Sequence, residues 1–208
     1  VIGAHASEYY GSGLGAAYVF RPSDGGATYD QVAKLTASDG ASYDHFGSSM
    51  AIAGGTVVVG APNYWSGGSG SVYVFRTFDG GATYAQVAKL TASDAASNDG
   101  FGKSVAIDGN TIVVGAHYEN SGRGAAYVFR TLDGGATYVE LAKLTASDAA
   151  WGDEFGNSVA IAGDTVVVGA YGDDDAGTYS GSAYVFRTSD GGATYDQVTK
   201  LTAADAAA

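Results

Sequence analysis

A unit of about 55 residues is written almost four times along this chain, and near-identical units in series fold as an array in which each packs against its neighbours. Four anchors recur in fixed order. They are an FG pair at Phe46, Phe101 and Phe155; a GA pair beginning at Gly3, Gly60, Gly115 and Gly169; a YVFR block beginning at Tyr18, Tyr73, Tyr127 and Tyr184; and KLTA beginning at Lys34, Lys89, Lys143 and Lys200. Successive YVFR blocks lie 55, 54 and 57 residues apart, the step from YVFR to the next FG is always 28, and the step from FG to GA is always 14. The length variation falls between GA and YVFR, with offsets of 15, 13, 12 and 15, which marks that segment as a surface loop.

Each unit reads as four strands. In the third, strand A is Phe101 to Ile107 and strand B is Thr111 to Ala116, joined by the turn Asp108-Gly109-Asn110. A variable loop leads to strand C, Ala125 to Arg130, and the turn DGGATY leads to strand D, Val139 to Thr145. Strands B and C are apolar at consecutive positions, as in Ile112, Val113 and Val114, so both of their faces are expected to be covered. Glycine interrupts nearly every window, which leaves no apolar 3.6-residue period and predicts almost no helix. The fold class that follows is all-β, a β-propeller-type array of four-stranded antiparallel blades with about 3.75 blades present, open or part of a larger propeller or fibre; a solenoid of stacked β units is the alternative. The expected divisions are a partial blade at 1–45 (strands B to D with the following loop) and blades at 46–100, 101–154 and 155–208.

Composition narrows the function. Acidic residues outnumber basic ones by 22 to 10, for a formal charge of −12, which disfavours nucleic acid and anionic membrane surfaces as partners. There is no Cys, so disulfides and thiolate metal sites are excluded. The long uncharged run from Gly47 to Phe75 is broken by Gly, Ser, Asn and Thr, and membrane insertion is not expected. No charged-then-apolar leader opens the sequence at Val1, so no targeting segment is expected within these residues.

The pattern K-L-T-A-S-D-x-A-x-x-D-x-F-G-x-S-V-A-I-x-G-x-T-V-V-V-G-A, a loop, then S-G-S-A-Y-V-F, fullest from Lys143 to Phe186, resembles the FG-GAP repeat of integrin-α-like β-propellers, above all the tandem variety of secreted microbial and algal proteins. The resemblance covers essentially the whole chain. It implies a bladed propeller, usually of seven blades, located outside the cell or at its surface and serving adhesion or assembly. Integrin-like repeats carry an Asp-rich calcium loop between strands A and B. Here that segment is only Ala53-Gly54-Gly55, Asp108-Gly109-Asn110 or Ala162-Gly163-Asp164, too few oxygen ligands for calcium. Strand A occurs three times and the others four. A second identical chain has no spare A strand to donate, so either the natural chain continues or exposed edges pair with neighbours.

The invariant turn resembles a second element, the Asp box of sialidase-like propellers, S-x-D-x-G-x-T-W. An Asp carboxylate there accepts backbone N–H groups of its own turn, which points to a structural role for Asp24, Asp79, Asp133 and Asp190. The repeated Arg21, Arg76, Arg130 and Arg187 are expected to meet local carboxylates or carbonyls rather than converge on a substrate carboxylate. His5, His45 and His117 lack the partner motifs of a metal site and read as loop residues. The acids Asp39 with Asp44, Asp94 with Asp99, and Asp148 with Asp153 read as loop-stabilising hydrogen bonders.

Two loop features remain as binding candidates. Asp173, Asp174 and Asp175 form an acidic triplet, either the start of a calcium site or a solvated loop; calcium is the one cofactor to consider, and none is required. Tyr9, Tyr10, Tyr64, Trp65, Tyr118, Trp151 and Tyr179 stand, with Tyr43, in loops expected on one face. They are candidate stacking platforms for glycans or anchors for a protein partner, with contacts between repeats as the plain alternative. No catalytic residue is expected. The reading is a non-enzymatic extracellular adhesion or structural repeat protein that associates with itself or with neighbouring repeats. A carbohydrate- or calcium-dependent binding propeller is the alternative, and a glycoside-acting enzyme a more distant one.

Overall fold

The computed structural model describes residues 1–5, 14–63, 66–175 and 177–205. The chain forms four antiparallel sheets in a row. The first has three strands, β1 (Ile2–Ala4), β2 (Ala16–Pro22) and β3 (Tyr29–Leu35). The second runs β4 (Ser49–Ala53), β5 (Thr56–Ala61), β6 (Ser71–Arg76) and β7 (Ala85–Leu90). The third runs β8 (Phe101–Asp108), β9 (Thr111–Ala116), β10 (Ala125–Arg130) and β11 (Val139–Leu144), and the fourth β12 (Phe155–Ala162), β13 (Thr165–Ala170), β14 (Ser182–Arg187) and β15 (Asp196–Leu201). In every sheet the spatial order equals the chain order, as expected of propeller blades. Helix among the described residues is limited to one turn, α1 (Glu119–Gly122), in which Asn120 and Ser121 have positive φ.

Two local features differ from the sequence expectation. The A–B turn is one residue shorter, because Asp108 pairs with Thr111 and leaves only Gly109 and Asn110 outside the ladder. Strands β8 and β12 also carry a bulge after their Phe, between Phe101 and Ser104 and between Phe155 and Ser158. The bulge lets the FG glycine take positive φ while the rest of the strand pairs normally.

Cross-strand register explains why strands B and C are apolar at every position. Tyr127 faces Val114 and Phe129 faces Ile112 on one side of the third sheet; Val128 faces Val113 on the other. The first set packs with Val58, Val72, Val74 and Leu90 of the second sheet, and the second set with Val166, Val168, Tyr184 and Phe186 of the fourth. The first and second sheets meet in the same way through Ala17, Val19 and Leu35 against Phe46, Val57, Val59, Tyr73 and Phe75. The row is open: each core joins consecutive sheets, and among the described residues none joins the fourth to the first.

The FG phenylalanine is the centre of each core. Phe46, Phe101 and Phe155 are fully buried, each edge-on to the Tyr of its own strand C at 5.4–5.5 Å between ring centroids. Their backbones make parallel bridges to Gly15, Gly70 and Gly124 of the preceding sheet. At Gly124 a Cβ would lie 2.6 Å from the Phe155 nitrogen, so only glycine admits the neighbouring chain there.

Candidate functional site

One set of polar contacts crosses all three interfaces between consecutive sheets, and two further kinds recur at two of them. On the rim that carries the D–A and B–C loops, the Asp that ends T-A-S-D reaches the Tyr and Lys of the next sheet. Asp39 accepts hydrogen bonds from Tyr73 Oη at 2.9 Å and Lys89 Nζ at 2.6 Å. Asp94 accepts from Tyr127 at 2.8 Å and Lys143 at 2.5 Å, and Asp148 from Tyr184 and Lys200, each at 2.8 Å. Each lysine also lies over its tyrosine ring, 5.3–5.5 Å from the centroid. The neighbouring serine adds a contact: the Ser38 and Ser147 amides donate to Gln86 and Gln197, and Ser93 donates twice to Glu140.

Electrostatics follow from this geometry. The Lys89 and Tyr73 hydrogen bonds hold Asp39 below the usual carboxylate range. Burial opposes the charged form of Asp94 and Asp148, but Lys143 with Tyr127, and Lys200 with Tyr184, outweigh it and lower both. Burial, reinforced by Asp94, lifts the Tyr127 phenol well above its ordinary range. The second acids of the D–A loops act locally: Asp44, Asp99 and Asp153 accept the amides of Ala41, Ala96 and Ala150 at 2.6–2.7 Å. Burial raises Asp99 and Asp153.

On the opposite rim, the carboxylates of Asp79, Asp133 and Asp190 each accept two backbone amides of their own turn at 2.9 Å and a Thr hydroxyl at 2.6–2.7 Å. Those bonds hold the three aspartates far below the usual range, and Asp24 is lowered chiefly by the Thr28 amide. Arg21 donates to the Gly80 carbonyl and Arg130 to the Gly191 carbonyl, so each reaches the turn of the next sheet rather than a local group. In the middle of the interface Ser49 and Ser104 donate to the Gly102 and Gly156 carbonyls at 2.7 and 2.8 Å.

The acidic triplet is drawn into the third of these assemblies, at Lys200 of the fourth sheet. Asp173 and Asp175, with Asp148, surround Lys200 Nζ at 2.6–2.8 Å, while Asp174 stands outside the group. Asp173 is buried and also accepts from Tyr184 and Ser182. Burial disfavours the Lys200 ammonium, yet the three carboxylates raise its pKa well above the ordinary value. A calcium ion held by these oxygens would have to displace that ammonium. In the third sheet Glu119 contacts Lys143 at 2.9 Å in the same manner.

Of the aromatic candidates, Tyr118, Trp151 and Tyr179 are exposed, Trp151 most of all at 80%. Tyr118 stacks on His117 with centroids 3.9 Å apart, and Tyr179 on Tyr171 at 6.4 Å. Tyr9, Tyr10, Tyr64 and Trp65 lie outside the described residues. His117 is buried, and that burial, aided by Lys103, pushes its pKa down to about 4. The repeated lysine stood out from sequence only as the start of the KLTA anchor, with no partner assigned, and the lone Glu119 was not singled out. The fixed spacing of Asp, Lys and Tyr marked the first; nothing but the contact itself marks the second.

A family model described as the FG-GAP repeat matches residues 29–75, 84–129 and 138–186, more than half of the chain. The chain belongs to the FG-GAP repeat family. FG-GAP repeats build β-propeller proteins that are often extracellular and generally non-enzymatic. No curated protein matches the sequence. Among solved structures, the chain is similar to that of the crystal structure of Saccharomyces cerevisiae Sqt1, with a TM-score of 0.47 and 12% identity over 74% of this chain. It spans 35% of the length of that protein. No helix among the described residues is long and apolar enough to cross a membrane.

Proposed function

We propose that this FG-GAP chain is a non-enzymatic structural unit of an extracellular adhesive or fibrous assembly, in which further FG-GAP repeats extend the row from its two end faces. The observation that carries this reading is the engagement of the repeated charged residues: the clasp acids, lysines and turn-facing arginines described above hold one sheet to the next. The end faces carry the matching halves. On the fourth sheet Val167 and Val185 are half-buried, Leu201 is exposed, Asp205 has no ion-pair partner among the described residues, and Arg187 turns back to Thr165. On the first sheet Ile2 is exposed, Lys34 lies over its Tyr18 ring with no ion-pair partner among the described residues, and Gly25 and Gly26 of the turn stand open.

Light scattering and electron microscopy of the purified chain test this. Assemblies heavier than the 20.8 kDa chain, weakened when Lys34 is replaced by Glu, support it. A single monomeric mass at every concentration, with no filaments, counts against it. Turnover of any glycan on a broad panel, lost when the D–A loop acids are substituted, would move the reading to a glycoside-acting enzyme.

A further inference from the structure

The four B–C loops are not chemically equal. Counting from the glycine of each GA pair, the fourth residue onward is Ser7, Tyr64, Glu119 and Asp173. Glu119 and Asp173 use that position to place a carboxylate against the clasp lysine of their own sheet, at 2.9 Å from Lys143 and 2.8 Å from Lys200. The first loop carries Glu8 one position later. The second loop, from Pro62 to Gly70, contains no acidic residue at all.

Among the described residues Lys89 therefore has one carboxylate partner, Asp39, where Lys143 has two and Lys200 three. A cavity of about 190 Å³ opens beside it, lined by Lys89, Tyr73, Asn63, Ser69, Ser71 and Asp44, with Ala61 and two glycines completing the wall. Its volume lies below that of a drug-sized pocket and suits a small molecule. The lining supplies an ammonium with free donor capacity and two serine hydroxyls. Asp44 opposes an anion by its charge, though its oxygens are held by the Ala41 amide and the Asn63 side-chain amide, each at 2.7 Å. In the third and fourth sheets the equivalent acids, Asp99 and Asp153, make the same kind of amide bond with a second carboxylate in place nearby.

We propose that the cavity beside Lys89 binds a small carboxylic acid, of the size of a single uronic-acid sugar, in the place that Glu119 and Asp173 give their carboxylates beside Lys143 and Lys200. The recognition is one charge-assisted hydrogen bond to Lys89 with support from hydroxyl donors, so the affinity is millimolar and falls with added salt. This site is independent of whether the end faces recruit further repeats.

The test is an NMR titration of the full chain with sodium glucuronate, with glucose as the uncharged control and acetate to separate the carboxylate from the sugar. Saturable shifts of Lys89, Ser69 and Ser71 resonances by glucuronate, and none by glucose, are expected; shifts with acetate assign the affinity to the carboxylate, and their absence assigns part of it to the ring. S69E places a carboxylate in the lining itself and is expected to abolish binding, whereas S69Q retains it. K89Q is expected to weaken binding at least tenfold, and the Ser69 pair keeps the test intact if K89Q unfolds. Equal response to glucose and glucuronate, no saturable binding in the millimolar range, or unchanged binding in S69E overturns the proposal.

Discussion

Replacing Gly124 by Ala tests whether contact between neighbouring backbones holds the row together. Gly124 has φ +81 and Gly181, at the same place in the fourth sheet, φ +69, so a Cβ at either position carries the same left-handed strain of about 1–2 kcal/mol. Their surroundings differ. A Cβ at Gly124 would lie 2.6 Å from the nitrogen and 2.7 Å from the carbonyl carbon of Phe155, with the Phe155 oxygen nearer still; at Gly181 the nearest atom is the Tyr171 oxygen at 3.4 Å. Backbone of a neighbouring sheet cannot rotate away as a side chain does, so Gly124→Ala adds an overpacking cost of about 1–3 kcal/mol that Gly181→Ala lacks. At about 2–4 °C per kcal/mol for a chain of this size, Gly124→Ala melts about 2–12 °C below Gly181→Ala by calorimetry. Hydrogen exchange gives the location: Gly124→Ala loses protection in both β10 and β12, on either side of the interface, and Gly181→Ala in the fourth sheet alone. Equal melting temperatures, or loss confined to one sheet in both variants, would refute the reasoning.

Other expectations follow from the packing and the charges. Phe155→Ala removes the fully buried ring at the centre of the last core and costs about 3–5 kcal/mol in urea unfolding. His117 titrates near 6.5 in the unfolded chain and at about 4 in the fold, so acid protonates the unfolded state first; stability falls by about 3 kcal/mol between these values, and His117→Asn flattens that part of the profile. Asp94 and Asp148 have lowered folded pKa values, so their contribution is present above about pH 4 and disappears as pH drops through the folded values. Lys200→Met leaves Asp148, Asp173 and Asp175 facing one another and costs about 2–4 kcal/mol at pH 7, the partial exposure of two of them moderating the penalty. That deficit shrinks as pH falls toward 4, and the variant gains a calcium-dependent melting temperature, whereas a chelator leaves the parent chain unchanged.

The fold was legible because its signals are local and repeated. Turns punctuate every strand, and the unbroken apolar runs of strands B and C announced two covered faces before any contact was known. The bulge after Phe101 and Phe155 was hidden, since it arises from the passage of the glycine backbone beside the preceding sheet and leaves no mark within the strand's own pattern. The site was less legible. Asp39, Asp94 and Asp148 read as loop acids because their lysine and tyrosine partners lie 33 to 52 residues away, in the next unit. Arg21 and Arg130 were expected to find local partners for the same reason. Consecutive side chains of an extended chain diverge, so the run from Asp173 to Asp175 did not read as one site, and only the loop's path sets Asp173 and Asp175 with Asp148 around Lys200.

Each unit carries one half of the interface on its leading face and the other half on its trailing face: clasp acid and arginine look forward, tyrosine, lysine and turn look back. A gene segment of this length, duplicated in frame, would therefore encode a module that fits both its parent and its sibling without compensating substitutions. Core and clasp travel together on the copied segment, while the GA-to-YVFR loop, which enters neither the apolar core nor the Asp–Tyr–Lys clasp common to all three interfaces, is left to diverge in length and chemistry from one copy to the next.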